Sequence, residues 1–381
     1  MRIITAFDSF KGCMTAKEAC QSAAEGIRQA YPDAEVVCLP LSDGGEGMVD
    51  CISEALGLES IALNVTGPLK DSVVAHYSIA EINTCSGTQK GQRTAFMEMA
   101  AASGLTHVPV ERRNPMETTT YGVGEMILDA IRRGCQKIVM GIGGSATCDG
   151  GKGMIECLRP YLPLSVQIVV ASDVSNPLYG PEGAAYVFAP QKGATPEQVR
   201  LLDERLHSFA RETEALGYAT PELADSPGAG AAGGLGYGLL AYLNAMLTSG
   251  IDLLLDTIQF DEKVRNADYV LTGEGKSDQQ TLYMGKKIDK YNDDYAEPNV
   301  VRTPKKVPAG VLARTMQTTT HSAQVLLLSG SIEDSERLLS SGFTEVHSIN
   351  EGDPRPLEIL MQRDIAMNNM TKFCSTKLQL R

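Results

Sequence analysis

Six short apolar runs in this chain each stop at a loop that joins glycine or serine to a carboxylate or hydroxyl. The loops are Asp8/Ser9/Lys11, Asp43/Gly44/Gly45/Glu46/Gly47, Gly143/Gly144/Ser145/Thr147/Asp149, Asp173/Asn176, Gly273/Glu274/Gly275/Asp278 and Ser329/Gly330/Ser331. Apolar run, polar loop and amphipathic run in alternation predict an α/β chain with a parallel sheet. In such a sheet the carboxyl ends of the strands form the ligand crevice. Glycines there let backbone N–H groups approach phosphate oxygens, and a following helix N-terminus adds partial positive charge. Carboxylates there can hold Mg²⁺ or take a proton from a hydroxyl. Phosphate cradle, Mg²⁺, a cation and a base are together the needs of phosphoryl transfer.

The local pattern supports the alternation. Ile3–Phe7 reads as a buried strand. Thr15 with Glu18 is a capping box for a helix over Ala16–Ala30. Val36–Leu39 is a second strand, and a helix to about Leu56 follows the loop at Asp43. Two short strands flank Thr66-Gly67-Pro68-Leu69. Further strands are read at Thr94–Met99, Lys137–Ile142, Ile168–Ala171, Tyr269–Thr272, Val325–Leu328 and Glu345–Ile349, and helices at Gly122–Arg133 and Pro196–Leu216. The polar stretches Asn83–Gln92 and Gly285–Lys306 read as an exposed hairpin tip and a solvent-exposed excursion. The expected organisation is two α/β domains. Residues 1–60 plus 262–381 form a doubly wound parallel-sheet domain, residues 61–261 are inserted into it, and a cleft runs between them.

Each loop also has a plainer role. Asp43 or Glu46 can cap the helix that follows, Asp149 can do the same, and Asp173 can serve a turn before Asn176-Pro177. Lys192 can be a turn residue or a phosphate contact. Gly228–Gly238 can be close helix packing. No loop has the P-loop spacing, no first βα turn has the dinucleotide fingerprint, and the protein-kinase signatures are absent. The missing fingerprint counts against a nicotinamide-dependent oxidoreductase.

The formal net charge of −13 disfavours nucleic acid and anionic membrane as partners. Nine widely spaced cysteines with no C-x-x-C, and an N-terminus without a signal-peptide pattern, point to reduced thiols and a cytoplasmic protein.

Taken in order, the strings FDSFKGCMTAKEA, LSDGGEGMVD, VTGPL, EMAAASGL, TTTYGVGEMI, GIGGSATCDGGKGM, ASDVSNPLYG, APQKGAT, PGAGAAGGLGYGL and VLTGEGKSDQQT resemble the glycerate kinase family, as do KVPAGVLA and LLLSGSI further on. The resemblance implies a flavodoxin-like domain with a second α/β domain inserted, ATP and Mg²⁺ as co-substrates, and D-glycerate as acceptor. The product would be phosphoglycerate, the 2-isomer preferred, in organic acid catabolism; a homodimer is an allowed assembly. The expected catalytic residues are Asp8, Lys11 and Asp173, with Asp173 or Asp8 as base. ATP would meet Gly143, Gly144, Ser145, Asp149, Lys192, Gly228, Gly230, Gly233 and Gly234. Asp43, Glu274 and Asp278 would position Mg²⁺. Three departures stand out: Phe7 replaces the family's proline, the chain is short between Met154 and Ala171, and about twenty residues part Gly285-Lys286 from Val307-Pro308, so that Lys286 or Lys306 fills the family's lysine position. The alternative is a catalytically impaired member that binds nucleotide or organic acid as a sensor.

Overall fold

The computed structural model describes residues 1–82, 91–282, 306–319 and 323–380. Most of both polar stretches read from the sequence, and Lys286 with them, lies outside the described residues. In chain order the strands are β1 (Arg2–Phe7), β2 (Glu35–Cys38), β3 (Ser60–Thr66), β4 (Ser72–Ile82), β5 (Gln92–Glu98), β6 (Lys137–Gly141), β7 (Gln167–Ala171), β8 (Met246–Thr248), β9 (Tyr269–Gly273), β10 (Lys276–Ser277), β11 (Gln324–Ser329), β12 (Ser331–Ile332) and β13 (Glu345–Ser348).

They form two main sheets. The first has the order β2-β1-β9-β11-β13, every pair parallel. Counted within that sheet the order is 2-1-3-4-5, the flavodoxin-like doubly wound arrangement. Its strands are continuous apolar runs because helices cover both faces. The second sheet, β3-β4-β5-β6-β7-β8, enters the chain between β2 and β9. Its β3-β4-β5 edge is antiparallel and the rest is parallel. A short parallel pair, β10 with β12, extends the loops beyond β9 and β11.

Local chemistry explains several elements. The Ala16–Ala30 helix starts where the Thr15 hydroxyl accepts the Glu18 N–H at 3.2 Å and the Glu18 carboxylate accepts the Thr15 N–H at 2.8 Å. It packs on the C-terminal helix Arg363–Thr376, and only a glycine at position 26 leaves room for the Thr371 carbonyl. The shortened stretch after Met154 still delivers β7 in register, from Lys137 opposite Gln167 to Gly141 opposite Ala171. The helix Lys152–Leu158 serves as that crossover.

Two apolar cores are private to one sheet or the other. A third is shared. It joins Ile4, Leu39 and Val270 of the first sheet's surroundings to Phe96, Val139 and Ala171 of the second. The helices Gly250–Thr257 and Phe260–Val264, near the boundary read from the sequence, contribute Ile251, Leu254 and Phe260 to it. The two sheets are therefore joined through packed side chains as well as through chain connections.

Candidate active site

In the first sheet the strand order reverses between β1 and β9, the place where doubly wound folds bind ligands. Asp8 directly follows β1 and Glu274 directly follows β9. The Asp8 N–H donates to the Gly273 carbonyl at 3.0 Å, which fixes the two strand ends side by side. Asp8 is 6% exposed, and its carboxylate accepts the Ser9 N–H at 2.6 Å. Burial pushes its carboxyl up to about 7, with further upward pressure from Asp43 and Glu274 and a pull down from the Ser9 N–H. Glu274 accepts the Thr281 hydroxyl at 2.7 Å, and burial raises its pKa too.

Asp43 enters from the loop after β2. It accepts the Gly45 N–H at 3.2 Å and lies 3.4 Å from the Lys306 ammonium. Lys306 is the N-cap of the helix Val307–Thr318, an unfavourable end for a cation. Burial also works against its charge, but Asp43 and Glu274 outweigh it and hold the ammonium pKa above its ordinary value. Lys306, one of the two lysines that the sequence offered for the family's position, therefore stands beside Asp43; Lys286 lies outside the described residues.

Asp173 arrives from the second sheet, two residues beyond β7. It accepts the Gly250 N–H at 3.2 Å at the start of the helix Gly250–Thr257. Burial, and then Asp43, push its carboxyl up to about 7. Two carboxylates from different sheets, Asp8 and Asp173, therefore flank Asp43 and are both poised near neutrality.

The glycines of two loops serve their mutual approach. A Cβ at Gly143 would lie 2.8 Å from the Gly45 Cα, and one at Gly44, where φ is +93°, would lie 2.9 Å from both the Ala171 Cβ and the Gly250 Cα. The Asp43 loop therefore rests backbone to backbone on the ends of β6 and β7. Beyond this contact, the fully buried Lys192 donates to the Ser145 hydroxyl at 2.6 Å and to the Thr147 carbonyl at 2.7 Å. Burial lowers its pKa to about 8. Among the described residues no carboxylate stands at ion-pair distance from it; Asp149 favours its charge from farther away.

Asp8, Lys11, Asp43, Asp173, Gly143–Ser145 and Lys192 line one cleft of about 1830 Å³. Glu274 and Lys306 stand beside Asp8 and Asp43. Other expected residues sit elsewhere, in three places. Asp149 spends its carboxylate on the Thr120 N–H and hydroxyl and on the Gly151 and Gly153 N–H groups, at 2.8–3.1 Å, so it ties two helix starts together. Gly228, Gly230, Gly233 and Gly234 are packing positions: side chains there would strike Leu247, the Pro177 carbonyl, the Thr147 carbonyl and Leu178. Their string reaches the cleft through Ala231 and Ala232. Asp278 faces Lys276 at 3.9 Å and, like Glu274, is not among the residues that line the cleft, although its charge acts on Glu274. Among the described residues no three His, Cys, Asp or Glu side chains converge closely enough to chelate a metal on their own.

Sequence reasoning overlooked Glu98 and Arg363, both of which line the cleft. Glu98 ends β5 without a glycine beside it, and Arg363 opens a helix with no clear apolar period. Glu98 accepts the Val49 N–H at 2.9 Å, and burial raises its carboxyl to about 7.

The model of the glycerate kinase family matches residues 3–163 and 158–290. The two matches meet where the sequence reads as shortened, and the second stops inside the inserted stretch. The chain belongs to the glycerate kinase family. It is 44% identical over 311 residues to a glycerate kinase of Halalkalibacterium halodurans, covering 74% of this chain and 79% of that one. It is 40% identical over 314 residues to the glycerate 2-kinase of Escherichia coli K12, with the same coverage. The crystal structure of a candidate glycerate kinase 2 from Salmonella typhimurium LT2 superposes over 99% of this chain and 97% of that one, with a TM-score of 0.75 at 34% identity. As a glycerate kinase family member the chain is an enzyme, and its two α/β units follow the family's fold. No helix among the described residues is long and apolar enough to cross a membrane.

Proposed function

We propose that this enzyme transfers the γ-phosphate of ATP to D-glycerate and releases 2-phosphoglycerate. The observation that carries the reading is the meeting, in the lining of one cleft, of Asp8 and Asp173 from two different sheets with the buried Lys192. The cleft is large enough for both substrates. The name of the E. coli relative favours the 2-position of the product.

Lys192 and the N–H groups of Gly143, Gly144 and Ser145 supply the phosphate-binding wall. Mg²⁺ would need the oxygens of ATP to complete its shell at the other wall, where Asp43 and Glu274 lie near Asp8; burial and mutual repulsion already raise the pKa values of Asp8 and Glu274. Asp43 and Glu274 would hold the ion. Bound there with the phosphates of ATP, it supplies charge neutralisation. Lys11 and Lys306 add positive charge to the transferring group. Asp173 is the base: it lies apart from the Asp8–Glu274 strand ends, and a carboxyl near 7 can accept the hydroxyl proton late in transfer. Residues 1–60 with 262–381, and residues 61–261, are the two bodies that would close over the substrates and exclude water. The eight described cysteines are free thiols, which suits a reducing compartment, and we place the reaction in the cytoplasm.

The test is incubation of the full chain with ATP, Mg²⁺ and D-glycerate, followed by ³¹P and ¹H NMR of the product. A phosphorus signal coupled to the C2 proton is the expected result. Coupling to the C3 protons would move the product to the 3-isomer. A folded protein that binds ATP without turnover would overturn the kinase reading in favour of a binding protein.

A further inference from the structure

We infer that Glu98 is a positioning residue that seats the Asp43 loop in the cleft by capping, from the other sheet, the helix that follows this loop. The inference rests on the kinase reading only for its effect on turnover.

The helix Met48–Leu56 begins with an open end. Its N-cap is Gly47, in the left-handed region at φ +89°, and no side chain of the loop caps it. The first N–H groups of a helix need acceptors, which a Ser, Thr, Asp or Asn at the N-cap ordinarily provides. Here the acceptor comes from 49 positions along the chain: the Glu98 carboxylate takes the Val49 N–H at 2.9 Å. A carboxylate at a helix N-terminus is favoured by the helix dipole as well.

Glu98 is the last residue of β5, and its register partner on β6 is Gly141. That neighbour touches the same loop at its other end, since a Cβ at Gly141 would lie 2.9 Å from the Gly44 carbonyl oxygen. Two adjacent strand ends of the second sheet thus grip the loop just after Asp43 and just after Gly47. Asp43 sits directly before the first grip. Among the described residues its carboxylate otherwise meets only the Gly45 N–H and the Lys306 ammonium, and its carbonyl packs against Gly250. With the Glu98 carboxylate gone, the loop would lose its second anchor to the β5–β6 edge. Asp43 would then leave the fixed relation to Asp8 and Asp173 on which the cleft's charge arrangement depends.

The experiment compares E98A, E98Q and E98D in the full chain by hydrogen exchange of the 43–52 segment without substrates, and by steady-state kinetics with ATP and glycerate. Glutamine keeps the acceptor oxygen at the same reach, aspartate keeps the charge but falls short by one methylene, and alanine keeps neither. We expect exchange in the segment to rise at least about tenfold in E98A and E98D and to stay near wild type in E98Q. We also expect kcat to fall about 10–100-fold in E98A and E98D with the KM for ATP within about threefold, and E98Q to retain most activity; these figures correspond to the loss of a charge-assisted hydrogen bond. If E98A does not fold, the glutamine–aspartate contrast decides. Unchanged exchange in E98D, or an E98Q as impaired as E98D, would overturn the positioning role. Absence of turnover in the wild type would sink the kinase reading alone, since the exchange comparison would still judge the loop.

Discussion

The proposed mechanism gives two side chains in the cleft separable duties, and each can be tested by a substitution of similar size. Asp173 spends one oxygen on the Gly250 N–H. Asn in its place can still accept that bond, so D173N should keep the helix start and the fold. It cannot take a proton. The expected result is a fall in kcat of about 10²–10⁴-fold, the usual worth of a general base, with the KM for ATP little changed; near-normal turnover would dismiss Asp173 as base. Because its carboxyl is pushed up to about 7, the wild-type rate should rise with pH through that region and then level. In the proposed mechanism Lys192 has the other duty. K192M keeps the apolar stem and loses the ammonium, leaving the Ser145 hydroxyl and Thr147 carbonyl without their donor. Charge-assisted bonds of about 1.5–3 kcal/mol imply a KM for ATP raised by about 10–100-fold. An unchanged KM would move the phosphates away from this wall.

At the scale of elements, the GAGAAGG string has a structural purpose that its composition conceals. Ala232, Gly233 and Gly234 all lie in the left-handed region, with φ of 53°, 69° and 87°, and they kink the start of the helix Ala231–Leu243 onto the Thr147–Gly150 loop. G233A would place a methyl against the Thr147 carbonyl in a conformation that costs an L-residue about 1 kcal/mol or more before any clash. We expect a loss of at least about 2 kcal/mol in denaturant unfolding, whereas G12A, at an equally left-handed but open position, should cost less. Equal losses would mean that packing at position 233 is unimportant. The same comparison shows what a sequence can disclose. The capping box at Thr15 and Glu18 announces its helix because both partners lie within one turn. The strands announce themselves because each is a run of apolar residues. Roles that depend on a distant neighbour do not. Asp149 looks like a ligand until Thr120 arrives from 29 positions away, and Glu98 looks like an ordinary strand end until Val49 does. The three-residue β8 is too short and too exposed to show a period. The helix Arg363–Thr376 hides its inner face behind Asn369, a buried amide satisfied by Asn350 at 2.8 Å. The alternation of strands and helices predicts a parallel sheet, but the 2-1-3-4-5 order was accessible only through the family resemblance.

At the scale of the whole molecule, the shared core brings two sheets close enough to bury carboxylates that would otherwise be solvated, and this sets how stability depends on pH. Burial raises Asp8, Asp173 and Glu98 each to about 7, while in the unfolded chain such groups titrate near 4. Between those values the folded state holds protons that the unfolded state has released. Stability from these groups is therefore fully present below about pH 4 and is lost as pH rises through about 7. Carboxylates lowered by partners, such as Asp353 beside Arg355, behave oppositely, but their contribution is already complete by about pH 5.5. The range from about pH 5.5 to 8 is dominated by the buried carboxylates, with Lys192 opposing them only near its upper end, and the net charge of −13 adds self-repulsion in the carboxylates' direction. The ligand-free protein should thus resist denaturant less at pH 8 than at pH 5.5, by about 2 kcal/mol or more, since each tenfold difference in proton affinity is worth ~1.4 kcal/mol. D8N should flatten that slope, because an amide has no proton to lose. ATP with Mg²⁺ should restore stability most strongly at pH 8, where the ionised carboxylates offer oxygen donors, by about 2.7 kcal/mol at a hundredfold excess over Kd. A denaturant midpoint that rises from pH 5.5 to 8 without ligand would contradict the burial of this cluster, and with it the charge arrangement on which the cleft's chemistry rests.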